Sequence, residues 1–304
     1  MINESIKHRI VISAFAIALI SVTVSFYCNH NKWKAVKRKL DELGRLSDEK
    51  CNRDYNGIKC SVQKLCFSGE IDDASGKEVF VSYSQVFEDI ILYHVLKDIK
   101  NGFYIDVGAN HPTFDSVTKA FYKLGWHGIN IEPLQDMYAS LVQERDRDIN
   151  LPFCAGESEG EIELYERGGL STVDPKITNK WDSVPKPRTV PITTLSNICK
   201  KYCPADCNIE FCKIDVEGAE RNVLLGFDFE NFRPKIFMIE ATESCTSIPT
   251  HQNWEDILYE NGYEFAYQYG VNRYYVDKNI DGLKEKFVGM DEILKNYMIV
   301  LINQ

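Results

Sequence analysis

The sequence predicts an α/β fold: a doubly wound, mostly parallel sheet covered by helices on both faces. Three observations carry this. From about Val79 onward, strand-like runs alternate with helix-like ones. The strand runs are short and apolar. Their ends carry acids or glycine, at "DVGAN", "IEP", "CAGE", "DVEGAE" and "EATE", and an open α/β sheet binds its ligand at the C-terminal ends of its strands.

The elements follow in order. "SQVFEDIILYHVLKDI" sets Val86, Ile90, Ile91, Tyr93, His94 and Leu96 on one broad helical stripe. "GFYIDVG" is a strand, "DSVTKAFYKLG" a helix, "HGINIEP" a strand and "LQDMYASLVQER" a helix. "INLPFCAG" reads as one further strand and leads to a strand at "EIELYER". "VPITTLSNICKKY" supplies a strand and a helix, "EFCKIDVEG" a strand, "AERNVLLG" a short helix and "PKIFMIEA" a strand. "NWEDILYENG" is helical, and "YEFAYQYG" with "NRYYVD" forms a terminal strand pair. The folded domain is thus expected over 79–304.

The region before it differs. A tail covers 1–9. Residues 10–28, "IVISAFAIALISVTVSFYC", carry no charge. As a helix they would reach about 28 Å, close to the hydrocarbon thickness of a bilayer. The run is long for a signal peptide and no small-x-small site closes it, so a single-pass anchor is expected. Basic residues are denser after it (Lys32, Lys34, Lys37, Arg38, Lys39) than before it (Lys7, Arg9). That bias places the folded domain in the cytoplasm. Within 29–78, Trp33, Val36, Leu40 and Leu43 recur at helical spacing, and 51–78 reads as a linker.

A net charge of -10 argues against a nucleic-acid partner. The ten cysteines would pair in an oxidising compartment and stay reduced in the cytoplasm. Among them Cys199, Cys203, Cys207 and Cys212 have spacings unlike common zinc sites and read as core or surface thiols.

The strand ends constrain the ligand. A dinucleotide fingerprint needs three glycines, but Gly108 is followed by Ala109 and Asn110. No phosphate loop occurs anywhere. A ligand with a cationic amino-acid end and a ribose fits better. Gly108 allows a tight turn, Asp106 can face an ammonium or sulfonium, and Glu132 can take both ribose hydroxyls. S-adenosylmethionine has these parts and no phosphate. Asn110 extends this turn, and Glu157, near the next strand end, is a candidate adenine contact.

Residues from about 80 to 278 resemble FkbM-type S-adenosylmethionine-dependent methyltransferases. The matching pieces are "VSYSQVFEDIIL", "GFYIDVGANHPTFDSVTKAFYKLGWHGINIEP", "GLSTVD", "KIDVEGAE", "FRPKIFMIEA", "IPTHQNWE" and "NRYYV". The resemblance implies a seven-stranded, Rossmann-like class I methyltransferase fold that O-methylates hydroxyls, often on sugars or glycan precursors. The acceptor partner is then a small molecule or glycan; separately, the expected anchor makes the membrane a partner. The alternative is a non-catalytic, membrane-anchored module of the same fold that binds glycan intermediates or an assembly partner.

Methyl transfer needs alignment of the acceptor and a group to take its proton. In "KIDVEGAE", Lys213, Asp215 and Glu217 share a strand face by their spacing. Asp215 is the expected base or orienter, Glu217 its support, and Lys213 either holds Asp215 ionised or contacts the acceptor. Asp215 could instead cap the helix beginning near Ala219. His111 and His251 are further base candidates. Gln85, Glu88 and Asp89 could line the pocket or a solvated helix face. Asp215, Glu240 and Glu243 could meet a metal, but no spacing forces one and none is expected.

Overall fold

The computed structural model describes residues 54–55, 58–59, 62–68, 79–205, 207–244, 246–295 and 297–303. The expected anchor at 10–28 and the helical run from Trp33 to Leu43 lie outside these. Among the described residues no helix is long and apolar enough to cross a membrane. In chain order the elements begin β1 (Asp54–Tyr55), β2 (Ile58–Lys59), β3 (Val62–Ser68), β4 (Val79–Ser82), α1 (Glu88–Leu96), β5 (Phe103–Val107), α2 (Lys119–Lys123) and β6 (His127–Ile131). They continue α3 (Gln135–Glu144), β7 (Ile149–Leu151), β8 (Cys154–Gly156), β9 (Gly160–Leu164), α4 (Pro175–Thr178), β10 (Arg188–Thr194), α5 (Leu195–Tyr202) and β11 (Ile209–Ile214). The last are α6 (Glu220–Leu225), β12 (Ile236–Glu240), α7 (Glu255–Glu260), β13 (Tyr263–Tyr269), β14 (Asn272–Asp277), α8 (Met290–Lys295) and β15 (Tyr297–Asn303).

The chain divides into two compact units, Met1–Val81 with Lys295–Gln304, and Ser82–Leu294. The first holds the β1–β2 pair and the antiparallel β3–β15 pair. This corrects the expected linker at 51–78 and the expected domain end at 304. The reason is that β3 pairs with a strand over two hundred residues later, from Ser68↔Tyr297 to Val62↔Asn303, which no local window displays.

The second unit contains a seven-stranded sheet in the order β13-β14-β12-β11-β5-β6-β7. Its five strands from β12 to β7 are parallel, and β14 runs antiparallel to both neighbours. From β5 the chain builds outward to β6 and β7, then returns to β5's other side with β11 and β12. The strand order therefore reverses between β5 and β11, which is where such sheets bind ligands. Every residue of β5 and of β11 is buried, as expected for strands covered on both faces. One face packs Ile105, Val107, Ile129, Ile214 and Ile239 against Leu195 and Ile198 of α5, Val223 of α6 and Leu258 of α7. On the other, Phe211 meets Tyr104 and Phe121 at ring-centroid distances of 5.7 and 5.0 Å.

"INLPFCAG" is not one strand. Pro152 separates β7, in the large sheet, from β8, which pairs with β10 in a three-stranded sheet β8-β10-β9. Proline lacks the amide that would continue the ladder.

Candidate functional site

A cleft partly open to solvent, about 590 Å³ with that open space included, lies at the ends of β5, β6 and β11. Gly108, Asn110 and Glu132 line it together with Asp215 and Glu217. The wall also carries apolar side chains, among them Leu134, Phe153, Ala155, Leu164 and Val173.

The β5 turn is fixed by close approach. Gly108 has φ +77°, and a Cβ there would lie 1.9 Å from the Asp215 carbonyl oxygen. Its amide and that of Ala109 donate to the Ile131 carbonyl, at 3.0 and 3.1 Å. The Asp215 amide donates to the Val107 carbonyl at 3.0 Å. Only glycine meets both demands of backbone angle and space. Gly108→Ala is expected to weaken ligand binding in the cleft at least about fivefold and lower the melting temperature, because strain and clash together cost more than about 1 kcal/mol. Calorimetric titration and thermal unfolding check this.

Glu132 sits as expected, at the end of β6 and inside the cleft. Its two carboxylate oxygens accept from the Asn110 amide at 2.6 Å and the Leu134 amide at 2.8 Å. Asn110 contributes through this amide, with φ +50°. Each oxygen keeps a lone pair for a ligand hydroxyl. Burial raises the Glu132 carboxyl to about 7, against the two amides and the Lys213 charge.

Asp106 is a correction. It is buried beneath the turn and does not line the cleft. Its Oδ2 accepts from the Thr118 hydroxyl at 2.9 Å, and its Oδ1 pairs with the Lys213 ammonium at 3.3 Å. Strand alternation points it at the sheet's face rather than past its edge, because β5 continues through Val107. Lys213 is likewise buried. It donates to the Gly108 carbonyl at 2.7 Å and pairs with Asp215 at 3.5 Å. Burial acts to lower its pKa, but Asp106 and Asp215 on either side outweigh that and hold it above the usual lysine range. Lys213 is thus a strut joining two strand ends rather than an acceptor contact.

Asp215 lies just past the end of β11, with its side chain 37% exposed. It does not cap α6, whose first turn has no side-chain cap at Ala219. Glu220 performs that work, accepting from the Val216 and Gly218 amides at 3.3 and 3.0 Å. Glu217 turns with φ +53° and is hydrogen-bonded by the Ser244 hydroxyl. Asp215, Glu217 and Glu240 each offer an oxygen within 4.8 Å of the others. Among the described residues this trio could reach one metal ion; Glu243 is instead paired with Lys180 at 2.5 Å. Only the closeness of the carboxylates points to an ion. Burial and then the Asp215 charge raise Glu217 to about 7, while the Ser244 bond acts the other way. Burial and the neighbouring Asp215, Glu217 and Glu220 charges push Glu240 far above the carboxylate range.

Four further expectations are corrected. His111 is absent from the cleft wall; its Nδ1 accepts from the Thr113 and Phe114 amides, at 3.0 and 3.1 Å, so it organises the loop. His251 lies in a short 3-10 turn outside the wall. Glu157 is exposed beyond β8, and Phe153 and Ala155 wall the cleft instead. Asp89 is knotted into the fold, accepting from the Ser82 and Ser84 hydroxyls, each at 2.7 Å, and from the Tyr83 amide at 2.7 Å. Glu88 is buried and takes the Val86 amide at 2.7 Å. Neither Glu88, Asp89 nor Gln85 lines the cleft. Cys199, Cys203, Cys207 and Cys212 are free thiols and, among the described residues, do not converge on a metal point.

These carboxyls predict a pH dependence. Glu132 and Glu220 stand at about 7, above a reference value of 4.5, and Asp89 at about 6, above 3.8. A raised folded value means the fold holds the proton more tightly than the unfolded chain. The stability is full below the reference values and is lost as pH rises through about 7. His94 and His251, lowered by burial, act in the opposite direction near their reference value of 6.5. The ligand-free protein is expected to melt lower at pH 8 than at pH 5.5, and Glu132→Gln to shrink that difference. Scanning calorimetry of both proteins at both pH values checks it; an unchanged difference in the variant contradicts the Glu132 contribution.

The methyltransferase FkbM domain model matches residues 106–265, just over half of the chain. A crystal structure of methyltransferase FkbM from Methylobacillus flagellatus KT is 17% identical, with a TM-score of 0.39, and the match covers 58% of this chain and 43% of that one. The chain therefore spans less than half the length of that protein. No curated protein matches. The chain belongs to the FkbM methyltransferase domain family.

Proposed function

We propose that the protein is an S-adenosylmethionine-dependent O-methyltransferase acting on a hydroxyl, with a sugar of a glycan or glycoconjugate precursor as acceptor. The observation that carries this is the cleft at the strand-order reversal, lined by Glu132, Asp215 and Glu217 together with apolar side chains. Glu132 suits a ribose diol. The apolar wall around Phe153 and Ala155 suits a flat heterocycle. S-adenosylmethionine, when bound, supplies a methyl group already activated on sulfonium.

The chain's own residues then align and deprotonate the acceptor. All three carboxylates of the trio are half-buried; Asp215, held by Lys213 at the end of β11, takes the hydroxyl proton. Lys213 fixes Asp215 from beneath through the 3.5 Å pair. Glu217 and Glu240, both shifted upward, accommodate charge beside it. Crowded carboxylates disfavour an anionic acceptor and accept a neutral polyol. The charge-free run at 10–28 supports single-pass anchoring, with the basic flank supporting a cytoplasmic domain.

The test is calorimetric titration of the purified full chain with S-adenosylmethionine and with the product S-adenosylhomocysteine. Saturable binding of both, lost in Glu132→Ala, is expected. No heat from either ligand at millimolar concentration would remove this reading in favour of a non-catalytic module.

A further inference from the structure

The hairpin that walls the cleft also holds the Glu217 turn. After β9, Tyr165 and Thr172 pair through both backbone bonds, at 2.9 and 3.1 Å. Gly168, Gly169, Ser171 and Val173 line the cleft, as do Val216 and Ala219. Thr172 is 1% exposed and does not itself line the wall. Its hydroxyl donates to the Glu217 carbonyl at 2.7 Å and accepts from the Asp174 amide at 3.0 Å. Ile177, in α4, places its Cδ1 2.3 Å from where a Gly218 Cβ would stand.

The turn being held is one that does not hold itself. Glu217 and Gly218 are consecutive left-handed residues, at φ +53° and +99°. A glutamate in that region costs free energy and persists only when neighbours over-determine it. Thr172 grips the turn by its backbone, and Ser244 grips the Glu217 carboxylate from the other end. The carboxylate that stands within 4.8 Å of Asp215 and Glu240 is therefore tied, through one side-chain hydroxyl, to the wall of the donor cleft.

We infer that Thr172 is a positioning residue, through which the hairpin 165–178 transmits occupancy of the cleft to the Glu217–Gly218 turn on the acceptor side. This rests on the reading of the cleft as the S-adenosylmethionine site. Ligand that orders the hairpin orders the turn with it, so the acceptor-side acid is set only when the donor is in place. The hydroxyl is the coupling group, because valine at 172 would keep the shape and lose only the two hydrogen bonds.

Hydrogen exchange read by mass spectrometry on the full chain, with and without S-adenosylmethionine, tests this. In the wild type the ligand should slow exchange in 165–178 and in 216–219 together. In Thr172→Val, exchange at 216–219 should be about three- to tenfold faster without ligand, the worth of one hydrogen bond. Ligand should then slow the hairpin alone. Thr172→Ser should restore both responses, which a purely space-filling role would not do. Ile177→Ala loosens the same turn from a second side and should show the same separation, which covers a valine variant that fails to fold. Joint slowing of both segments in Thr172→Val, or failure of serine to restore it, overturns the coupling alone. Absence of any ligand effect in the wild type overturns the donor reading, and the coupling with it.

Discussion

Arg145→Met is expected to cost about 3–5 kcal/mol of folding stability, the usual cost of breaking a buried ion pair from one side. Arg145 follows α3 and is fully buried. Its guanidinium donates to the Pro112 carbonyl at 2.9 Å, the Ser116 hydroxyl at 2.8 Å and the Tyr104 hydroxyl at 3.2 Å. It pairs with Asp148 at 3.5 Å, and neither side chain reaches solvent. Asp148 also accepts from the Tyr104 hydroxyl at 2.7 Å, the Gly128 amide at 2.9 Å and the Asn130 amide group at 3.0 Å. Methionine fills most of the space but leaves Asp148 ionised without its cation, and burial already raises that carboxyl. Because a domain has only about 5–15 kcal/mol in hand, the variant should populate unfolded protein at physiological temperature. Urea denaturation measures the loss. Arg145→Met with Asp148→Asn should recover part of it, since the pair is then neutral; no recovery would mean the cost lies in the loop contacts to Pro112 and Ser116.

Asp215→Asn is expected to reduce methyl transfer by about 10²–10⁴-fold, the range for removing a positioned proton acceptor. The amide keeps the shape of the carboxylate at the cleft mouth and loses its basicity. Cofactor affinity should change less than about tenfold, because Glu132, Gly108 and the apolar wall are untouched. The measurement is transfer of labelled methyl from S-adenosylmethionine to material extracted from cells lacking the protein, with calorimetric binding alongside. Equal loss of binding and transfer would make Asp215 a donor contact; unchanged transfer would move the base to another carboxylate of the trio.

Much of this site was readable in one dimension. Gly108, Asn110 and Glu132 follow apolar strand runs in "GFYIDVGAN" and "HGINIEP", and the structure brings all three to one cleft with Asp215 and Glu217. The alternation of elements from Val79 matches the observed strands and helices closely, since each is set by local periodicity and its flanking turn residues. Asp106 misled because a carboxylate at a strand end has two fates. It can pass the edge into the ligand site or turn onto the sheet face. Which occurs depends on what stands on the neighbouring strand, here Lys213 at the paired register position. His111 misled for a similar reason: its ring serves amides two and three residues later.

Glu220, Glu240, Ser244 and Thr172 show what a linear reading lacks. "KIDVEGAE" contains Glu220, but its bonds back to Val216 and Gly218 require a left-handed turn that its side-chain types do not announce. "GLSTVD" contains Thr172, but its partner lies 45 residues away. By itself, the order of residues determined the class of fold, the ends of the strands and the carboxylates available there, because backbone preference and hydrophobic period act over a few residues. Only the tertiary structure decided which carboxylates share one cleft, which are spent on buried cations and amides, and which sheet "YMIVLIN" at 297–303 completes. Those outcomes depend on burial and on partners distant in the chain. Desolvation makes a carboxylate find a partner, and only the folded packing says which one.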